Sequence, residues 1–448
     1  MIETTRTPAR QLLLTVMCVG MFLVQLDVTI VNVALPEIAL NLHTGVEGQQ
    51  WVVDGYAVVL ASLLLVGGTL GDVFGHRRVV PGGLSIFGAA SLICGAAPGV
   101  GVLVAGRALQ GLGAALLLPG TLAVITRAFP GRAEQARAVG VWAGVSALSL
   151  PAGPLLGGAL VSLLGWRAVF LVNLPIVAVA VPATVRLVRE GGGATTRRLD
   201  TPGVVLAALA LAATVYAVIT TESWSAAAVA FPALAGFLWW ERRAPDPVLP
   251  LNLLRRRAFA GANLVAAAMN LVGIGTIFVT TLYLQTVQHR TAFVAGAMLL
   301  PLFVPLAALA PVTGRLTGRF GPRPPMIAGL LVGAAASLAF LGLRPESSYL
   351  RLLPVLLGLG VGMGLLTAAV VAAAVRSVPS ERAGLASGVN NTARQAAGAL
   401  AVAVYGAVAG TPSNGAAFTS GLHALGVVGA GTWLAALVLT ALTVDRQA

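Results

Sequence analysis

The sequence predicts an all-helical integral membrane protein of about fourteen spans, and three observations carry that prediction. Of 448 residues, 57% are apolar and only 10% charged, with a mean hydropathy of +0.91, whereas roughly a quarter of the residues of a soluble domain are charged. The apolar residues gather into long uncharged stretches. About 20 such residues cross a ~30 Å hydrocarbon core as a helix, the conformation that bonds every backbone group internally. Almost all arginines fall in the short segments between those stretches, crowded onto alternate segments. Period-two alternation of strands is not visible.

Taken in order, apolar windows and their breakers place spans at roughly 12–35, 49–71, 79–97, 102–126, 138–163, 168–188, 202–220, 224–240, 259–285, 292–314, 325–343, 352–375, 383–409 and 422–443. The first follows a basic tail, Met1 to Arg10, and so imitates a secretory signal. Its run is long, contains Asp27 and reaches Val33-Ala34-Leu35-Pro36 without a cleavage site, so it reads as a retained helix. Gly, Pro and Arg punctuate the next five. The seventh and eighth are short and Ala-rich, parted by Thr221-Glu222-Ser223. Six more follow a basic segment, Pro250 to Arg257, that reads as an amphipathic stretch on the membrane surface or as a plain topology anchor.

Alternating the loops puts the arginines from Arg6, Arg10, Arg77 and Arg78 through Arg255, Arg256 and Arg257 to Arg446 on one side, and leaves Arg167, Arg290, Arg344 and Arg351 on the other. The positive-inside rule makes the crowded side cytoplasmic, with both termini there and an even number of spans. A repeat divides the chain. Gly68-Thr-Leu-Gly-Asp-Val-Phe-Gly-His-Arg-Arg78 returns as Gly314-Arg-Leu-Thr-Gly-Arg-Phe-Gly-Pro-Arg-Pro324. Two six-helix bundles with an inserted pair fit that spacing. The expected parts are a tail at 1–11, a first bundle at 12–190, a linker with two inserted helices at 191–245, a second bundle at 246–443 and a tail at 444–448.

The net charge of +13 belongs to these topology signals, so no nucleic-acid partner is expected. Every basic residue is arginine, which we read as the compositional mark of a G+C-rich bacterial genome. Cys18 and Cys94 both lie in apolar stretches and read as packing residues. No nucleotide-binding loop, metal-ligand spacing or nucleophile–base pairing occurs, so no metal, cofactor or catalysis is expected. His43, His289 and His423 fall near outer ends, and His76 falls in a cytoplasmic loop.

Several motifs together resemble one family. Asp27-Val-Thr-Ile-Val-Asn-Val-Ala-Leu-Pro36 resembles its first-helix motif, Gly68 to Arg78 its signature between the second and third helices, and Leu103-Val-Ala-Gly-Arg-Ala-Leu-Gln-Gly111 its fourth-helix arginine motif. Gly153-Pro-Leu-Leu-Gly-Gly158 resembles its fifth-helix antiporter motif, and Trp166 to Pro175 and Gly384 to Gln395 match its habits. The family is the fourteen-helix drug:proton antiporters of the major facilitator superfamily. The resemblance implies the major facilitator fold in a bacterial plasma membrane, and proton-coupled export of hydrophobic or amphipathic molecules, drugs or antibiotics. Protons, one small-molecule substrate and the bilayer are then the partners, with a monomer as the default. A proton-symport importer of a small nutrient is the alternative.

Charged groups deep in a span are costly and functional by default. Asp27, Asp54, Arg107 and Arg394 are those groups. Helical rise puts the first three at one level and Arg394 slightly lower. Asp27 is the expected proton carrier, Arg107 the residue that tunes it and Asp54 a second titrating site. The alternatives are a fixed Asp27–Arg107 pair that only locks helices together, and for Asp54 a water-facing rim carboxylate. Gln25, Thr29 and Asn32 form a polar stripe, and Ser387, Asn391 and Arg394 form another, each lining a cavity or meeting a neighbouring helix. Gly68, Asp72, Gly75, Arg77 and Arg78 are read as a conformational latch, with Asp72 as a plain helix cap the other reading. Gly144, Gly153, Pro154, Gly157 and Gly158 belong to the fifth span, where small residues and prolines invite close packing with or without a bend. Trp51, Trp142, Trp224, Trp239 and Trp240 include interfacial anchors, so none is assigned to substrate.

Overall fold

The fold is known from a computed structural model that describes residues 6–129, 131–188, 200–219, 224–245, 247, 249, 251–379 and 383–444. The described residues form helices joined by short turns. They are α1 (Arg6–Asn41), α2 (Val46–Phe74), α3 (His76–Gly95), α4 (Val100–Ala128), α5 (Arg132–Leu164), α6 (Ala168–Leu171), α7 (Asn173–Leu187), α8 (Thr201–Ile219) and α9 (Trp224–Glu241). There follow α10 (Leu251–Leu254), α11 (Arg257–Leu282), α12 (Ala292–Met298), α13 (Leu300–Phe320), α14 (Arg323–Leu338), α15 (Tyr349–Arg376), α16 (Ala383–Ala409) and α17 (Gly415–Thr443). Among the described residues, eleven helical stretches are long and apolar enough to cross a membrane. Large apolar side chains such as Val179, Leu209, Phe231 and Val438 stand exposed on their outer faces, as a surface solvated by lipid tails requires.

The helices sort into two halves. In the first, α2 and α3 pack on α4, and α1 on α5; in the second, α13 and α14 pack on α15, α11 on α16, and α14 on α17. The turns repeat with the helices. Gly75, between α2 and α3, has φ +84° and ψ +133°, and Gly321, between α13 and α14, has φ +79° and ψ +172°. That backbone region is closed to residues with a Cβ, which is the physical reason both copies of the repeated motif carry glycine there. His43 after α1 and His289 after α11 also share a positive φ.

The inserted pair α8–α9 does not stand apart. α8 packs on both α2 and α16, one helix from each half. Val215 of α8 joins Val58, Ala399 and Ala403 in one buried cluster, and Trp51 lies 6.1 Å from the Tyr216 ring.

The helices differ from the expected windows in instructive ways. α1 runs on through Pro36 to Asn41. The proline removes one backbone donor, but with no water in the hydrocarbon core, leaving the helix there would strand many more polar groups. The sixth window is broken at Val172 into α6 and α7. His76, expected in a loop, is the first residue of α3 and is buried, because Gly75 alone makes the turn and leaves no loop for it to occupy. The basic segment before α11 forms a single helical turn, α10, with Leu253 buried beneath it and Arg255 and Arg256 exposed.

Candidate functional site

The Asp27 carboxylate sits within the first half, 1% exposed, and is ion-paired through Oδ2 with Nη1 of Arg107, also 1% exposed. The sequence positions both as expected, one on α1 and one on α4. What the guanidinium does beyond that pair is decided by its neighbours. Its Nε donates to the Val52 carbonyl of α2 at 3.0 Å, Nη1 donates to Oε1 of Gln110 at 2.8 Å, and its Cζ lies 4.4 Å from the centre of the Tyr56 ring. Gln110, one turn along α4, donates to Asp27 Oδ1 at 3.3 Å and to Ser91 Oγ of α3 at 2.8 Å. Ser91 in turn accepts from Asn173 of α7 at 3.2 Å. One polar network thus joins α1, α2, α3, α4 and α7, with both charges buried, opposed and hydrogen-bonded. Buried polar groups are tolerated when satisfied in this way.

Asp54 is not part of that network, although it lies at the same level. It is fully buried, and neither carboxylate oxygen has a hydrogen-bond partner among the described residues. Its stripe on α2 is shared with Gln50 and Val58, one turn either side. Gln50 donates to the Val402 and Ala403 carbonyls of α16 at 3.2 and 3.0 Å, and Val58 packs on Ala399 and Ala403. Asp54 therefore belongs to the seam between the two halves.

Further contacts between the halves lie toward the end of the molecule where α1 finishes and α2 begins. Gln285, in the π-turn Tyr283–Val287 that ends α11, donates to the Val33 carbonyl at 2.9 Å. A side chain on Gly158 would meet the backbone of Ala292 and Phe293, and one on Gly296 would meet the backbone of Pro154. At the opposite end, where α2 turns into α3, Gly140 and Gly144 of α5 and Gly314 and Gly318 of α13 have nothing within 4 Å of where a Cβ would stand. The halves meet at the α1–α2 end and part at the α2–α3 end.

The two predicted stripes divide between buried packing residues and partly exposed ones. Thr29 is buried against Gly153, where any side chain would collide with its hydroxyl, and Gly157 lies against the Ile30 backbone. Asn32 donates to the Val28 carbonyl at 2.8 Å and leaves its buried Oδ1 without a partner among the described residues, while Gln25 is half-buried. On α16, Asn391 and Arg394 are half-buried. Arg394 Nε donates to Asn270 Oδ1 of α11 at 3.2 Å, and Asn390 donates to Asn263 Oδ1 at 3.2 Å. Of the latch residues, Gly68 packs beside Pro119, Gly75 makes the turn, and Arg77 and Arg78 are exposed; the Asp72 side chain lies outside the described residues.

Sequence reasoning missed Gln110, Ser91, Asn173, Asn263 and Asn270. Three of these left a signal. Gln110 follows Arg107 at i+3 on one helix face, and Asn263 and Asn270 recur at i, i+7 within an otherwise apolar span.

Comparison with known proteins identifies relatives of the chain. The profile of the Major Facilitator Superfamily matches residues 17–402. The chain is 37% identical over 404 residues to the Multidrug resistance protein Stp of Mycobacterium tuberculosis, covering 87% of this chain and 74% of that protein. It is 36% identical over 412 residues to the Methylenomycin A resistance protein of Streptomyces coelicolor, covering 90% and 86%. To the Tetracenomycin C resistance and export protein of Streptomyces glaucescens it is 35% identical, covering 88% and 74%. Among solved structures, a bacterial homolog to the human lysosomal transporter Spinster, inward-facing and occupied, superposes with a TM-score of 0.72 at 17% identity, covering 97% of each chain.

Proposed function

This chain belongs to the Major Facilitator Superfamily, and we propose that it exports hydrophobic or amphipathic small molecules, drugs or antibiotics, in exchange for protons. In this reading it crosses a bacterial plasma membrane fourteen times as two six-helix bundles and an inserted pair, with both termini in the cytoplasm, and the open α2–α3 end faces the cytoplasm. It works by alternating access, the halves rocking about the cleft between them. Relatives named for resistance to several different antibiotics support drug export.

The observation that carries proton coupling is the Asp27–Arg107–Gln110 network. A proton on Asp27 removes the charge that Arg107 is paired with, and Arg107 is held in turn by the Val52 carbonyl of α2. Protonation therefore changes the balance of forces across several helices at once, which is what linking a proton to a rearrangement requires. Asp54 is the second titrating site. An ionised, unpartnered carboxylate inside a protein–protein seam is unfavourable, so the α2–α16 contact is favoured with Asp54 protonated and opposed once it ionises.

The test is transport in everted vesicles under an imposed proton gradient, with a panel of dyes and antibiotics, comparing the natural chain with Asp27→Asn. Substrate-dependent proton efflux is expected from the natural chain and not from the variant. Coupling that survives in a folded Asp27→Asn variant rejects Asp27 as the carrier and transfers the role to Asp54. Inward movement of substrate with protons rejects export.

A further inference from the structure

Two guanidinium groups stand deep in the described spans, and they are served very differently. Arg107 has its counter-charge, Asp27, within the same half. Arg394 has one hydrogen bond, to the neutral amide of Asn270, and no carboxylate partner among the described residues. The amides near it on α11 and α16, Asn263, Asn270, Asn390 and Asn391, carry no charge, and among the described residues the Asp54 carboxylate makes no hydrogen bond to it.

Arg394 is also reachable. It lies eleven residues into α16, about 16 Å from the helix start, too deep for the side chain to snorkel to a headgroup. It is half-buried, not sealed. A charged group at that depth is not exposed to lipid. Its exposed part therefore faces the cleft, which is open at the α2–α3 end where the halves part.

We propose that Arg394 is the anchor for an acidic group on the transported molecule, so that the substrates are amphipathic organic anions, carboxylates above all, and not cations. A guanidinium offers a planar fork of donors that matches a carboxylate. The bound substrate supplies the counter-charge that the protein withholds, and the apolar remainder of the molecule lies against the surrounding apolar side chains. An organic cation entering the same cleft meets an uncompensated positive charge. Selection by charge in this way works as much by rejecting the wrong molecule as by binding the right one. The proposal rests on the reading of the chain as a small-molecule exporter, and concerns which molecules it takes.

The experiment uses three probes of one shape: 2-naphthoate, its methyl ester, and 2-naphthylmethyl-trimethylammonium. Their binding to the purified full chain in detergent is measured by calorimetry at pH 7, where the acid is ionised. The natural chain is expected to bind the acid about tenfold or more tightly than the ester, the scale of one charge-assisted hydrogen-bonded pair, and to bind the ammonium most weakly. Arg394→Gln abolishes the acid's advantage over the ester, with an unchanged unfolding temperature of the detergent-solubilised variant reporting an intact fold; Arg394→Lys retains part of that advantage. Any other ranking in the natural chain, absence of binding included, overturns the proposal, as does an acid preference that survives Arg394→Gln. Vesicle transport separates this outcome from the exporter reading. Acid that binds through Arg394 but is not carried outward in exchange for protons leaves the anion site standing and defeats export. Cations exported with no acid bound do the reverse.

Discussion

At the residue scale, Gln110 holds more of the first half together than its neutral side chain implies. Its amide donates to Asp27 and Ser91 and accepts from Arg107, and the Cys94 thiol lies 3.5 Å from its carbonyl oxygen. Gln110→Leu keeps the volume and strips those partners of their bonds. Unpaired buried polar groups cost about 1–3 kcal/mol, and measured values within membranes sit toward the lower part of that range. Unfolding of the detergent-solubilised protein is therefore expected to show a loss of about 1–2 kcal/mol. A loss below 0.5 kcal/mol, roughly what surface substitutions produce, would mean that Asp27 and Arg107 are held without it. Asp27→Asn belongs to the same scale, and its readout is coupling and not stability, because the amide keeps the shape and most of the hydrogen-bonding capacity of the carboxylate.

At the element scale, the turns that begin α3 and α14 are set by Gly75 and Gly321, both in backbone conformations that glycine alone adopts without strain. Gly75→Val and Gly321→Val are each expected to cost about 1–3 kcal/mol of stability. The turns lie in different halves, so the double variant is expected to show the sum within about 0.5 kcal/mol. Equal stability of either variant with the natural chain would show that the turn relaxes to another conformation. The α5 track divides into two regimes. Gly153, Gly157 and Gly158 are closed on by α1 and α12, whereas Gly140 and Gly144 face open space, so one helix carries both the closed and the parted ends of the interface.

At the scale of the whole molecule, the halves meet at one end and part at the other, and α8 bridges α2 and α16 along one flank. Alternating access then makes Gly144 a reporter. The natural cysteines are both buried, so a Gly144→Cys variant carries one reachable thiol. A membrane-impermeant thiol reagent is expected to label it in everted vesicles, where the cytoplasmic face is outermost, and much more slowly in right-side-out cells. Conditions that turn the cleft outward are expected to slow labelling in the everted vesicles. Equal rates from both sides, whatever the gradient, would contradict a two-state rocking motion.

Much of the fold and part of the site were legible in the sequence. Hydrophobic length, arginine placement and the repeated Phe74-Gly75 and Phe320-Gly321 turns are local properties, and in lipid local properties go far, because each span must satisfy its own backbone. The rarity of charge in spans likewise singled out Asp27, Asp54, Arg107 and Arg394 before any contact was known. What the sequence left open was direction. Depth along a helix follows from counting residues, but the neighbour a side chain meets depends on how the helices rotate and cross. Three charged groups at one level therefore read as a cluster, and only tertiary packing could turn Asp27 and Arg107 toward each other, Asp54 into the α2–α16 seam and Arg394 onto Asn270. The same is true of Thr29, one of a polar stripe by spacing and a packing residue against Gly153 in fact. Chain-local energetics set the spans and their order, whereas the pairing of charges was decided by side-chain packing between helices far apart in sequence.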